Sequence, residues 1–295
     1  MNKVGSSITN DIINIGELND YSGAHYFKKS MEGGYTTEKT VLLKKEGNVG
    51  TIILNRPKAL NSFNQELIED FHQVLDEVKK DEEIRVVILT GNGKAFSAGG
   101  DLFHLEQLNT PKAGRNFIVQ AGELISTIMK TEKPFIAMVN GVAAGAGFNL
   151  ALACDIIFSA KSARFGQSFV NVGLVPDCGG LYLLPRIVGL HKAKELMFTA
   201  QLINAETAYS LGIVNQIFED DKLTEATYNF ATELAQGPPI ALGLIKKALN
   251  RSLELTLEDV LELEADLQTI CMQTEDHREG VTAFKEKRKP VFKGE

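Results

Sequence analysis

The segments best able to do chemistry in this chain are two glycine-rich runs. One is Gly91-Asn92-Gly93-Lys94-Ala95-Phe96-Ser97-Ala98-Gly99-Gly100-Asp101, and the other is Asn140-Gly141-Val142-Ala143-Ala144-Gly145-Ala146-Gly147. Each follows an apolar stretch and leads toward a helical one. Glycine at a strand exit lets backbone N–H groups approach a ligand closely, and the following helix adds positive potential there. A turn of this kind suits an anion or a developing oxyanion. Two of them can aim two N–H groups at one oxygen, an oxyanion hole made of backbone alone, useful where a thioester carbonyl must become an enolate. Removing one donor from such a site costs roughly 2.7–4 kcal/mol of transition-state stabilisation. The competing use of the same glycines is close backbone packing.

Other chemistries fit these residues less well. Gly141, Gly145 and Gly147 have the G-x-x-x-G-x-G spacing of short-chain dehydrogenases, but that turn belongs after a first strand and before a Tyr-x-x-x-Lys pair. Here the one such pair, Tyr35 and Lys39, precedes the turn, so the order is wrong for dinucleotide binding. Gly91-Asn92-Gly93-Lys94 lacks the spacing of a P-loop, and neither Ser97 nor Ser168 is flanked as in a G-x-S-x-G nucleophile elbow. The histidines at 25, 72, 104, 191 and 277 show no H-x-x-x-H spacing and no cysteine partner, so no metal is expected.

The elements that must position the two runs are read from periodicity. Alternating residues from Val41 to Leu54 around Glu46-Gly47-Asn48 predict a hairpin, followed by a loop at Asn55-Arg56-Pro57. Leu67, Ile68, Phe71, Val74, Leu75 and Val78 recur at helical spacing and predict an amphipathic helix over 64–80. Buried strands follow at 85–90, 134–139 and 155–159, with a helix at about 113–129 and a small-residue helix running to Ala153. Strand, glycine loop, helix, strand repeats itself and argues for an α/β class. Beyond Pro176 the chain turns helical, at 181–187, 192–199, 205–211 and 222–235. Gly237-Pro238-Pro239 then separates a carboxy-terminal helical lobe with helices at 242–251, 256–272 and 276–287. Residues 1–38 are rich in Asn, Ser, Gly and Asp and read as a loosely ordered extension, leaving a core at 39–236 and a lobe at 237–295.

Composition sets the outer bounds. With 295 residues, 44% hydrophobic and 23% charged, the chain can bury roughly 75% of its unfolded surface without a metal or cystine. Three cysteines, Cys154, Cys178 and Cys271, form no C-x-x-C pair, which suits a reducing compartment. A net charge of −7 with scattered basic residues argues against a nucleic-acid footprint. No apolar run is long enough to span a bilayer, and Met1 to Asn10 lacks a signal-peptide layout, so a cytoplasmic protein is expected.

Several motifs together resemble the crotonase, or enoyl-CoA hydratase/isomerase, superfamily. They are Asn55-Arg56-Pro57-Lys58-Ala59-Leu60-Asn61-Ser62, Lys94 to Asp101, Asn140-Gly141 through Cys154-Asp155-Ile156, Arg164-Phe165-Gly166-Gln167, and Glu279-Gly280-Val281-Thr282-Ala283-Phe284 with Lys287-Arg288. The resemblance runs from about Glu38 to Gly294. It implies a spiral of ββα units and a carboxy-terminal helical lobe that builds homotrimers or hexamers. It also implies an acyl-CoA thioester substrate, with no cofactor beyond the coenzyme A that is part of that substrate. Carried over position by position, Ala98 and Ala146 would be the oxyanion N–H donors. Lys58, Ala59 and Leu60 would line the adenine and pantetheine side, together with Gly99, Gly100, Asp101 and Leu102 along the groove. Phe284 and Lys287 would cover the coenzyme across a subunit boundary.

The departures from the family pattern decide the expected chemistry. Hydratases of the family carry two glutamates where this chain has Asn149 and Phe169, and neither side chain can act as a base at neutral pH. Asp177, in Gly173-Leu174-Val175-Pro176-Asp177-Cys178-Gly179-Gly180, stands where several family isomerases carry their acid or base. The run is most like that of the ring-epoxide isomerase branch. One carboxylate is what a proton shuttle needs, and burial beside Phe148, Phe169 or Leu174 would raise its pKa toward the working range. Phe148 and Phe169 suggest an apolar acyl pocket. The bland reading of Asp177 is a cap on the next helix, and that of Asp101 a helix cap; Asp155 reads as a structural hydrogen-bonding residue. The expected activity is thus acyl-CoA isomerisation through an enolate, by double-bond migration or aryl-epoxide rearrangement. A hydratase or other thioester lyase of the same fold, and a non-catalytic acyl-CoA-binding protein, are the alternatives.

Overall fold

The structure, a computed structural model, describes residues 39–295, so the extension expected over 1–38 lies outside the described residues. The alternating run folds as a hairpin of β1 (Val41–Glu46) and β2 (Val49–Leu54). Asn64 caps helix α1 (Gln65–Lys80) by accepting from the Leu67 N–H, and the six apolar residues named above form its buried face. Strand β3 (Val86–Gly91) lies parallel to β2 and is buried throughout, as expected of a strand covered on both sides. The chain then forms β4 (Ala95–Ser97), a short helix α2 (Leu102–Gln107) capped by Asp101, and the long helix α3 (Pro111–Lys130), which has Thr110 as its cap and Pro111 in the first turn.

Two further circuits repeat that course. Strands β5 (Phe135–Val139) and β6 (Val142–Ala144) lead into α4 (Ala146–Leu152). Strands β7 (Ile156–Ala160) and β8 (Arg164–Gly166) lead through a 3-10 turn to α5 (Gly180–Val188) and α6 (Leu190–Thr199). The remaining core elements are β9 (Ile203–Asn204), α7 (Ala205–Ser210), β10 (Gln216–Phe218) and α8 (Leu223–Leu234). Each circuit contributes its first strand to a six-stranded sheet of order β1-β2-β3-β5-β7-β10 and its second to a four-stranded sheet of order β4-β6-β8-β9. That is a spiral of ββα units, the fold class the motifs imply.

Helices α9 (Pro239–Ser252), α10 (Leu257–Met272) and α11 (Glu275–Glu286) complete the chain, and residues 39–295 belong to one compact unit. A buried ion pair fastens α9 to the spiral. Lys246 Nζ lies 2.8 Å from Asp155 Oδ2 and also donates to the carbonyls of Ile128 and Lys133. Asp155 Oδ2 accepts from the Phe135 N–H at 2.7 Å as well, so this carboxylate is structural. Among the described residues no helix is long and apolar enough to cross a membrane.

Candidate active site

The smaller sheet explains why the two glycine runs meet. Strands β4, β6 and β8 are parallel neighbours, with Val142 opposite both Ala95 and Arg164, so their carboxy-terminal ends open on one side. Ligands in α/β folds bind outside such ends. The chain leaving β4 supplies Ala98 to Asp101, that leaving β6 supplies Gly145 and α4, and that leaving β8 supplies Gln167 and Phe169. Gly99 has φ +93°, a conformation for which glycine alone is unstrained. A Cβ there would stand 2.7 Å from the Ala144 carbonyl oxygen and 3.2 Å from the Ala146 nitrogen. The first turn therefore lies directly against the second. Gly145, at φ +52° and ψ −125°, turns the chain into α4, and Ala146 occupies the first helical position, where an N–H has no acceptor within the helix.

On the first turn the available donor differs from the expected one. The Ala98 N–H donates to the Leu60 carbonyl at 2.9 Å and so is not free to meet a substrate oxygen. Phe63 donates its N–H to Gly99 O at 2.7 Å and accepts the Asp101 N–H at 2.9 Å, the pattern of a parallel bridge between Phe63 and Gly100. In such a bridge the central residue turns its own N–H away from the partner strand. The Gly100 N–H has no acceptor among the described residues, so the N–H open to a ligand on this turn lies two positions beyond the expected Ala98.

The loop before α1 is built to hold this arrangement. Asn61 is fully buried at φ +56°. Its amide donates to Asn92 O and Ala95 O and accepts from the Arg56 N–H. Leu60, half-buried at φ +49°, turns its carbonyl onto Ala98, while Lys58 is exposed and Ala59 half-buried on the same 3-10 turn. Ser97 Oγ donates to Asn61 O and accepts from the Gly99 N–H, which makes it a brace for the turn. Asp101 caps α2 and pairs with Arg56 at 2.9 Å. Burial acts to raise its pKa, but the Arg56 guanidinium and the His104 N–H outweigh it and hold the carboxyl below the usual range. The carboxylate is thus committed to structure. Its neighbours Leu102 and Phe103 are 52% and 82% exposed and present an apolar edge beside the turn.

Asp177 sits at the other side of α4. Its main-chain carbonyl accepts from Asn149 Nδ2 at 2.8 Å and from the Gly180 N–H at 2.9 Å. Asn149 stands three residues, one helical turn, after Ala146. The cap of α5 is Gly179 and no side chain caps it, so the Asp177 carboxylate does not serve as a helix cap. Oδ1 is buried with no hydrogen-bond partner among the described residues. Burial pushes the carboxyl up from its ordinary range, with the neighbouring Cys178 thiol drawing weakly the other way.

The two positions that would be glutamates in a hydratase are filled otherwise. Asn149 is fully buried with its Oδ1 taken by Gln167 Nε2 at 2.7 Å. The Phe169 ring lies over Gly145, 3.7 Å from where a Cβ would be. Phe148, by contrast, is 1% exposed and packs on Phe165 with ring centroids 5.5 Å apart. Successive residues of a helix face different ways, so the Phe148 ring and the Asn149 amide lie on different faces of α4. Phe284 is 85% exposed and Lys287 lies on the surface. No hydrogen bond or ring contact ties either to the cluster of Gly99, Ala146, Asn149 and Asp177 within one chain.

Comparison with known proteins agrees with this geometry. A family profile described as enoyl-CoA hydratase/isomerase matches residues 44–295. The chain is 40% identical over 250 residues to a short-chain-enoyl-CoA hydratase of Clostridium acetobutylicum, covering 84% of this chain and 95% of that protein. It is 41% identical over 257 residues to a 1,2-epoxyphenylacetyl-CoA isomerase of Escherichia coli, covering 86% and 98%. The crystal structure of an enoyl-CoA hydratase from Bacillus anthracis superposes with a TM-score of 0.84 at 34% identity, covering 87% of this chain and 100% of that one.

Proposed function

Since this chain belongs to the enoyl-CoA hydratase/isomerase family, whose members act on acyl-CoA thioesters, we propose that it is an isomerase working through a thioester enolate with Asp177 as its one acid/base. The observation that carries this reading is the state of the carboxylates. Asp177 keeps a buried, unpartnered oxygen, while the two positions that would activate water hold an amide already engaged on both sides and a phenyl ring. The Gly100 and Ala146 N–H groups donate to the thioester carbonyl oxygen and stabilise it as negative charge develops. Asp177 takes a proton from the α carbon of a 3-enoyl thioester, the electron pair moves into the enolate, and the Asp177 carboxyl, free to exchange its proton with solvent, delivers a proton at the γ carbon to leave the 2-enoyl product. Rearrangement of an aryl-epoxide thioester to its ring-expanded isomer is supported by the 41% identity to the E. coli isomerase.

Hydration is the second reading, favoured by the 40% identity to the Clostridium hydratase; it requires Asp177 alone to position water. The test follows α and γ proton exchange of trans-3-hexenoyl-CoA in deuterated water by NMR, with crotonyl-CoA hydration measured in parallel. Asp177→Asn is expected to lower isomerisation by about 10²–10⁴-fold while acyl-CoA affinity stays nearly unchanged. Hydration outrunning isomerisation would overturn the proposal, and tight binding without turnover of any substrate would identify a binding protein. We also propose assembly through the carboxy-terminal helices. Ile245 and Leu249 on α9 and Leu253 just past its end form an exposed apolar row, continued by Leu257 and Leu261 on α10. Sedimentation at a trimer or hexamer mass is the expected result.

A further inference from the structure

We propose that Asn149 is a positioning residue that, backed by Gln167, sets where the Asp177 carboxylate stands relative to the oxyanion donors. The proposal rests on the acid/base reading of Asp177. Asn149 and Gln167 are both fully buried. Hydrogen bonds run in one direction through them, from Gln167 Nε2 to Asn149 Oδ1 at 2.7 Å and from Asn149 Nδ2 to the Asp177 carbonyl at 2.8 Å. A side-chain amide offers one acceptor and one amino group, and this one uses each on a different element. Gln167 Oε1 is left buried without a partner among the described residues. Its amide is therefore oriented by what Asn149 needs rather than by its own satisfaction.

The turn that carries the carboxylate needs such an anchor. Cys178, the next residue, is buried at φ +46°, a left-handed conformation that strains a side-chain-bearing residue. The Asp177 carbonyl, at the root of the turn, accepts from Asn149 Nδ2 on α4 and from the Gly180 N–H of α5. Gly180 also lies flat against the amide, since a Cβ there would come within 2.4 Å of Asn149 Nδ2, which denies the amide an alternative pose. Ala146 and Asn149 belong to one turn of the same helix, about 4.5 Å apart along its axis. That single turn thus fixes the separation between an oxyanion donor and the anchor of the proton shuttle. Enolate chemistry requires both to address one substrate at once, and a misplacement of about 1 Å can lower a rate on the order of 10²-fold. An amide is required at 149 because a carboxylate would turn an acceptor toward the Asp177 carbonyl.

Asn149→Asp keeps the shape and removes the donor, Asn149→Leu removes both bonds, and Gln167→Met removes only the outer one. With trans-3-hexenoyl-CoA, kcat is expected to fall on the order of 10²-fold in the two Asn149 variants and about 10-fold in Gln167→Met. KM, and the Kd of hexanoyl-CoA, should stay within about threefold. In Asn149→Leu and Gln167→Met, which add no charge, the acid limb of the kcat–pH profile should move to lower pH as the loosened turn hydrates Asp177, a shift that a purely structural role would not produce. Folded variants with wild-type kcat and an unmoved acid limb would overturn the proposal, as would affinity lost in step with kcat. If the Asn149 variants fail to fold, Gln167→Met decides by the same two readouts. Asp177→Asn run alongside separates the failures: if it retains isomerisation, the acid/base reading itself is wrong. If it is inactive while the Asn149 variants are not, only the positioning role is lost.

Discussion

Gly99→Ala tests whether the two glycine turns work as one device. The added Cβ would stand 2.7 Å from the Ala144 carbonyl oxygen and 3.2 Å from the Ala146 nitrogen, closer than carbon meets oxygen without displacement, and both neighbours are main-chain atoms that cannot rotate aside. At φ +93° the alanine also carries a backbone cost of roughly 1–2 kcal/mol or more. The contact is relieved only by moving the first turn away from the second, which separates the Gly100 and Ala146 N–H groups. If the shift disables one donor, kcat falls about 10²–10³-fold, the roughly 2.7–4 kcal/mol typical of such a loss. Affinity for a saturated acyl-CoA should change much less, because ground-state binding draws on contacts remote from the oxyanion. Steady-state kinetics on trans-3-hexenoyl-CoA, titration with hexanoyl-CoA and a thermal melt give the three quantities. Gly114→Ala is the control, since a Cβ there, on α3, meets nothing within 4 Å and should leave both activity and stability intact. A Gly99→Ala enzyme that melts lower yet retains kcat within about threefold would refute a shared oxyanion site at these turns.

Two further changes read stability. Because burial raises the Asp177 pKa in the folded protein, the native state holds that proton more tightly than the unfolded chain. The stability it costs is therefore absent below the ordinary carboxylate range, near pH 4, and grows as pH rises through the raised folded value. Asp177→Asn should accordingly melt higher than wild type at pH 7 and lose that advantage toward pH 4; equal melts at both would contradict the burial argument. Lys246→Met strands the Asp155 carboxylate and leaves the Ile128 and Lys133 carbonyls without their donor, so urea unfolding should show a loss of about 3–5 kcal/mol. A change below about 1 kcal/mol would mean that α9 is held by its apolar contacts instead.

Long elements were legible because their period persists. Helix α1 follows from the spacing of Leu67 through Val78, and β3 and β5 from unbroken apolar runs. The strands β4, β6 and β8, of three residues each, repeat no pattern long enough to count, and they are what brings the site together. Helix α2, six residues long, is too short to show a period for the same reason, and only its cap at Asp101 was legible. Asn149 and Phe169 were visible as departures from the family motif. Their partners were not, because the Asn149 bonds reach Gln167 and Asp177, residues brought near by the pairing of β6 with β8 and the packing of α4 on α5.

The donor on the first turn shows where sequence reasoning stops for a physical reason. Ala98, Gly99 and Gly100 all carry an N–H, and all three lie inside the motif. Which one faces the groove depends on which carbonyls the preceding loop offers. Leu60 takes the Ala98 N–H and Ser97 Oγ takes that of Gly99. Phe63 takes the Asp101 N–H on the far side, so Gly100 is the residue left pointing outward. That assignment rests on Leu60 and Asn61 both being left-handed, a conformation costly for leucine and held here by the three hydrogen bonds of the buried Asn61 amide. In the proposed mechanism the oxyanion donor is thus selected from the opposite side of the turn, by a loop that need not touch the thioester oxygen. The Asn-Arg-Pro-Lys-Ala-Leu-Asn run would accordingly act on the proposed reaction through the register it imposes on Gly100.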